Sequence, residues 1–300
     1  MSQQAPIADL SYRNYDGPKS LDTARWWVIT RNGLRVSFKK KSLWVLFALA
    51  SLPYLFLLFF LFMGTFGGEM MAEQLGDFRG LILGAYTSAF WPLMIALMVG
   101  AGSIAADNRA NALQVYLSKP VTKRDYLVGK WLAIFLVVFG AYFLPMFLVT
   151  TYKAFDQGTI EFIKSDGIIF AAMPVLAAIP AALHASLLVG ISAWNKTPWI
   201  VGVIYAGLYF FSTIFANVLA SSIDPGSEVA ESTLRHLSIE GLISGLGQWI
   251  LNTSPKSLTP SFGDTTSPNA IPLLLIAIGL IIAGVLVARA RIRAVEVVQG

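Results

Sequence analysis

Gly129-Lys130 closes a basic stretch, LSKPVTKRDYLVGK, that runs from Leu117 to Lys130. Glycine followed by lysine ends the phosphate-binding loop of many nucleotide hydrolases. There, backbone amides and an ammonium group wrap the phosphates, and the pattern also requires a glycine five residues earlier and Ser or Thr after the lysine. Those two places hold Arg124 and Trp131, so the stretch is not a phosphate loop. The two histidines, His184 and His236, fall in separate segments, which argues against a shared metal site. The absence of cysteine excludes disulfides, iron–sulfur clusters and thiolate zinc sites. No acidic pair lies inside an apolar run, as a carboxylate relay in an ion-coupled pump would need. Nor is there a paired-carboxylate or nucleophile–base set for an intramembrane hydrolase or prenyl-transfer enzyme. The chain is therefore not expected to be an enzyme.

The surrounding elements explain the scarcity of charge. The chain has 300 residues, is 56% hydrophobic and only 13% charged, and its mean hydropathy is +0.65. Soluble domains are about 25% charged, so composition places this chain in a membrane. Six apolar runs have the length needed to cross hydrocarbon as helices: Ser42–Phe66, Leu81–Ala105, Trp131–Thr151, Ile168–Ser192, Pro198–Ala220 and Ile271–Ala288. None contains Asp, Glu, Lys or Arg, and none alternates as a barrel strand would. The expected fold class is an all-α membrane protein of six transmembrane helices. Prolines 53, 92, 145, 174 and 180 lie inside the runs and predict kinks. The first run begins too far in for a secretory signal peptide, so none is expected.

Lys and Arg divide 17 against 5 between alternate sides, and the acidic residues divide 6 against 11 the other way. Because cytoplasmic flanks collect Lys and Arg, both termini are expected in the cytoplasm. The same rule accounts for the net charge of +5 without invoking nucleic acid. The expected organisation is a cytoplasmic N-terminal segment (1–41), a six-helix domain (42–288) and a cytoplasmic tail (289–300). The domain includes a cytoplasmic loop (106–130) and a long outer segment (221–269).

Two non-spanning segments add detail. At helical spacing Trp26, Trp27, Thr30, Leu34 and Phe38 share one side of LDTARWWVITRNGLRVSFKKK, while Arg25, Asn32, Arg35 and Lys39 share the other. Val28, Ile29 and Val36 break that pattern. This reads as a helix lying in the membrane interface, with Trp26, Trp27, Leu34 and Phe38 toward lipid and cations near anionic headgroups. In the outer segment, Leu234, Leu237, Leu242, Leu246 and Ile250 form a partial apolar face that glycines 241, 245 and 247 weaken. It reads either as a dip into the membrane or as a helix packed on the bundle's rim. Gly80-x-x-x-Gly84 and Gly279-x-x-x-Ala283 are candidate close helix contacts.

Within the loop, Leu113, Tyr116 and Leu117 fall at i, i+3 and i+4, with Ala110 one turn back, predicting a short amphipathic helix. Pro120 stops it. Thr122-x-x-Asp125 reads as a capping box that starts the helix carrying Tyr126 into the third span.

An acidic residue, an arginine, a leucine-rich turn, LSKPV, a basic pair and a final GK entering a membrane helix together resemble the loop between helices two and three of ABC-2 type transporter permeases. The family usually has Glu at the place of Asp107 and often Thr at that of Ala112. The layout of the rest of the chain is similar as well. The resemblance implies the transmembrane subunit of an ATP-binding cassette exporter in the bacterial cytoplasmic membrane. It further implies two partners, a separate ATPase subunit that holds ATP and magnesium and a second permease, the same or related. No cofactor is implied in this chain. In such proteins the loop carries a coupling helix that docks on the ATPase. Carried over by position, Leu113, Tyr116 and Leu117 would be the apolar contacts and Asp107, Arg109, Lys119 and Arg124 the charged ones. Pro120 and Gly129 would set the loop's shape. An alternative is a scaffold subunit that passes on force. A secondary transporter or channel would need polar pathway residues that the spans scarcely offer.

Overall fold

In hydrocarbon every backbone amide and carbonyl needs a partner within the protein, and a helix supplies one locally. The structure, a computed structural model, describes residues 25–67, 77–112, 121–222, 233–253 and 268–292. Its helices, in chain order, are α1 (Arg25–Phe38), α2 (Lys41–Gly67), α3 (Phe78–Tyr86), α4 (Phe90–Gly100), α5 (Ala105–Arg109) and α6 (Lys123–Gln157). They continue as α7 (Thr159–Asp166), α8 (Ile168–Trp194), α9 (Pro198–Ser222), α10 (Ile239–Leu251) and α11 (Ala270–Arg291). Among the described residues there is no strand. Six elements are long and apolar enough to cross a membrane: α2, α4 continued through α5, α6, α8, α9 and α11. The all-α, six-helix expectation holds.

The second span differs from its expected form. Leu81–Ala105 is not one helix; it breaks at residues 87–89 between α3 and α4. Pro92 explains the break. Its ring lacks an N–H and crowds the carbonyl four residues back, so proline fits most easily in a helix's first turn. Restarting the helix at Phe90 puts Pro92 in that turn. The Thr87 hydroxyl caps the preceding end by donating to the Gly84 carbonyl at 3.0 Å. By contrast, α2, α6 and α8 run through Pro53, Pro145, Pro174 and Pro180 without interruption.

Helix α8 is the centre of the bundle. It packs against α6 and α11 over most of its length and also meets α4, α9 and α10. Of its apolar window 56% is buried, against 17% for α11. The close contact between α8 and α11 falls at Gly190 and Gly284, where an added Cβ on either would strike the opposing backbone. Gly279, the expected contact, has open space around it. A glycine is informative only in the register of its actual neighbour, and the glycine in contact here, Gly284, lies five residues further on.

The two ends of the bundle differ in charge. One end carries α1, α5, the start of α6 and the ends of α8 and α11, and thirteen of the described Lys and Arg residues lie there. Four lie at the far end. At the far end, α7 docks on α3 through Phe162, buried against Phe78 and Phe170, and through the Arg79–Asp166 ion pair at 2.7 Å. Helix α10 also sits there, against α3, α8, α9 and α11. Ser238 caps it by accepting the Gly241 amide at 2.9 Å. Its glycines are packing positions: Gly245 faces His236 and Leu273, and Gly247 faces Leu83 and Tyr86. These contacts pack the helix on the bundle, as either reading of this segment requires.

Candidate functional site

The loop between the second and third spans leaves and re-enters the bundle through a tightly bonded joint. After α4 the chain turns, and the Ser192 hydroxyl on α8 accepts the amides of Ile104 (3.1 Å) and Ala105 (2.9 Å) while donating to Ala101 O (3.0 Å). Asn108 then donates from Nδ2 to the carbonyls of Ala193 and Asn195, each at 3.1 Å. These bonds satisfy the polar groups that the turn leaves bare, and they fix α5 to the end of α8.

Asp107 holds the returning strand of the loop. Its Oδ2 accepts the Tyr126 hydroxyl at 2.6 Å and pairs with Lys130 Nζ at 2.7 Å. The ammonium also lies 5.5 Å from the centroid of the Tyr126 ring, a cation–π distance. Tyr126 is fully buried. Asp107 on α5 and Tyr126 and Lys130 on α6 therefore clasp the two bases of the loop together. The charge of Asp107 is used within the chain.

The start of α6 is set by the expected capping box. Asp125 N donates to Thr122 Oγ1 (3.1 Å), while Thr122 N (3.1 Å) and its hydroxyl (2.7 Å) both donate to Asp125 Oδ2. The helix is accordingly longer than the apolar run Trp131–Thr151 and begins two turns earlier. At the other base, Asn111 takes a left-handed conformation at φ 51°, which ends the helical path of α5 just past Ala110. Asparagine tolerates that region better than most residues.

Arg109 and Arg124 are exposed on either side of the loop's bases. Gly129 lies inside α6 and is buried, where α1 crosses: a Cβ there would come within 2.8 Å of Ile29 and of the Trp26 carbonyl. Leu113, Tyr116, Leu117, Lys119 and Pro120 lie outside the described residues.

Helix α1 docks on α6 through a small-residue strip. Gly33 faces Ala133, and the buried Thr30 hydroxyl is 2.9 Å from Trp26 O and 3.2 Å from Gly129 O. Ile29, which broke the amphipathic pattern, belongs to this strip with Trp26, Thr30, Gly33 and Ser37. Trp27 and Phe38 remain exposed on a neighbouring strip; Leu34 is half-buried and packs against the buried cluster of Leu43, Ala50, Ile95, Val137 and Ala141. The charged strip of Arg31 and Arg35 points elsewhere. One face thus holds the bundle and a second is exposed.

A second polar set lies at membrane depth. His184 Nδ1 is 2.6 Å from the Tyr205 hydroxyl, and the His184 ring stacks on Tyr209 at 6.2 Å. His184 Nε2 and the buried hydroxyls of Tyr54, Tyr142 and Tyr209 have no hydrogen-bond partner among the described residues. His184 has no metal-binding company: no group of three His, Cys, Asp or Glu lies close enough among the described residues. Sequence reading missed this set and the Asp107–Lys130 tie because both join residues distant in the chain. The only signal for the tie was polarity, since Asp107 and Lys130 bracket the loop.

Six helices long and apolar enough to span define an integral membrane protein. Residues 27–290 match the family described as ABC-2 family transporter protein. The match covers most of the chain, which belongs to that family and is a permease component of an ABC transporter. No curated relative matches the chain.

Proposed function

We propose that this permease couples ATP hydrolysis by a separate ATPase subunit to export across the bacterial cytoplasmic membrane. The loop 106–130 is the point of attachment. The observation that carries this reading is the clasp at the base of the loop. Asp107 joins α5 to α6, and Ser192 and Asn108 join the same region to α8. A push on the loop therefore reaches three spanning elements together instead of bending a free connector. Arg109 and Arg124 stand exposed beside the joint, where they would fix register on an acidic partner surface. The apolar anchors of that contact are Leu113, Tyr116 and Leu117.

Two permeases, identical or related, and two ATPases form the working unit. Closure of the ATPases on ATP drives rigid-body rearrangement of the bundles. The excess of Lys and Arg at the α1 end supports a cytoplasmic location for both termini. The unpartnered polar atoms of His184, Tyr54, Tyr142 and Tyr209 are available to a polar group on a passing substrate once the bundle opens. Chemistry at the nucleotide belongs to the partner, with its ATP and magnesium.

Co-purification tests the assignment. Extracted in mild detergent from cells that co-express an ATPase subunit, the chain should bring that subunit down in a near-equal ratio. A chain that is always recovered without an ATPase would overturn the proposal.

A further inference from the structure

A cavity of about 570 Å³ opens between the start of α6 and the end of α11, rimmed by Lys123, Arg124 and Arg289 and floored by Leu127 and Ile292. The three cations are exposed, and none has an ion-pair partner among the described residues. The nearest carboxylate along the chain, Asp125, is engaged by Thr122. Among the described residues the cavity therefore presents uncompensated positive charge where two spanning helices end, at the level of a lipid headgroup.

The faces running from this cavity into the membrane are apolar. On α6, Val128, Trp131 and Phe135 follow Arg124 at four, seven and eleven residues, on one helical face. From Trp131 an aromatic ladder continues through Phe135, Phe139, Phe143 and Phe147, with stacked rings whose centroids are 4.9–5.8 Å apart. On α11, Val285, Ile282 and Ile278 precede Arg289 by four, seven and eleven residues. The two helices converge on Ser186 of α8: Trp131 Nε1 donates to its hydroxyl at 2.8 Å, and Gly284 abuts its backbone. Below the cavity, then, Trp131 and Phe135 of α6 and the aliphatic row of α11 lead into the membrane from the cationic mouth, with Ser186 of α8 between the two helices.

We infer that this site binds an anionic phospholipid, with the phosphate between Lys123 and Arg289 and an acyl chain against Trp131 and Phe135. Basic pockets between transmembrane helices hold anionic headgroups. Free phosphate would satisfy the cations equally but would leave the apolar faces unused. An acidic protein surface would likewise meet only the mouth. The continuity of charge with an apolar track selects the lipid.

The test uses the full chain in detergent and counts lipids retained in native mass spectrometry. Phosphatidylglycerol is compared with phosphatidylcholine of the same chain length, and each is challenged with inorganic phosphate. The substitutions are Lys123→Gln with Arg289→Gln, leaving Arg124 in place for the proposed ATPase contact. Each cation near the surface contributes about a fivefold preference, so the pair should lower phosphatidylglycerol affinity roughly 30-fold. Phosphatidylcholine retention should be unchanged. Lys123→Arg with Arg289→Lys keeps the charge and should keep binding, which separates loss of charge from loss of fold. Neutralising Arg31 and Arg35 on α1 should leave binding within a few fold. Equal retention of both lipids, displacement by millimolar phosphate, or loss only in the α1 variant would overturn the proposal. So would loss of ATPase co-purification with lipid retention intact, which would give the mouth to the partner protein.

Discussion

Replacing Asp107 by alanine tests the clasp at its centre. The carboxylate accepts the buried Tyr126 hydroxyl at 2.6 Å and pairs with Lys130 at 2.7 Å. Removing one member of a fully buried ion pair costs about 3–5 kcal/mol because the other charge keeps its desolvation penalty. Here the two side chains are 18% and 17% exposed, so water recovers part of that loss and about 2–3 kcal/mol is expected. Tyr126→Phe deletes only the donor and should cost about 1.5 kcal/mol, the lower figure for a hydrogen bond to a charged group. A double-mutant cycle with Asp107→Ala and Lys130→Met isolates the pair, and neighbours in one network couple by about 0.5–3 kcal/mol. Unfolding in mixed micelles, followed by far-UV circular dichroism against the mole fraction of sodium dodecyl sulfate, supplies the four free energies. A coupling above about 1 kcal/mol is expected. A coupling near zero, with Asp107→Ala as stable as the parent, would refute the claim that this contact ties the loop to α6.

Further outcomes follow from the packing. Gly129→Ala forces a Cβ against Ile29 and the Trp26 carbonyl, and overpacking of this kind costs about 1–3 kcal/mol; a fall in melting temperature reports it. Gly284→Ala should be similarly costly because its Cβ meets the α8 backbone, whereas Gly279→Ala, in open space, should be neutral or slightly stabilising through helix propensity, by at most about 1 kcal/mol. Burial raises the Glu240 carboxyl above its ordinary range, opposed by the Thr213 hydroxyl. A carboxyl with a raised folded value binds its proton more readily in the folded state, so this group's contribution to stability falls as pH rises through the window above the ordinary glutamate range. Wild type should therefore gain melting temperature on acidification from pH 7.5 to 5 by more than Glu240→Gln does, and equal gains would contradict that reading.

Local signals were legible in the sequence and long-range ones were not. The apolar runs gave four of the six spans nearly whole and the middle of α6, because hydrocarbon tolerates little else. The Thr122–Asp125 box gave the start of α6, because both partners lie within one turn. In the second span Pro92 predicted a kink, but nothing between Leu81 and Ala105 showed that the helix would stop and restart, as it does at residues 87–89. In α1, Ile29 looked like a flaw in the amphipathic pattern, since a two-faced scheme has no place for a third strip that grips a neighbouring helix. The Asp107–Lys130 pair and the His184–Tyr205 contact bring together residues 23 and 21 apart in the chain. Periodicity carries no information at such separations; only the docking of α5 on α6 and of α8 on α9 creates them.

The central claim is that the loop receives the work of a partner ATPase. The measurement that meets it most directly is the ATP-hydrolysis rate of the co-reconstituted complex in lipid vesicles, with wild-type permease and with Leu117→Asp. Placing a charge on the expected apolar contact should lower the permease-stimulated rate by tenfold or more, while membrane insertion and the permease's melting temperature stay as in wild type. An unchanged rate in a complex that carries Leu117→Asp would contradict the account and move the coupling element elsewhere in the chain.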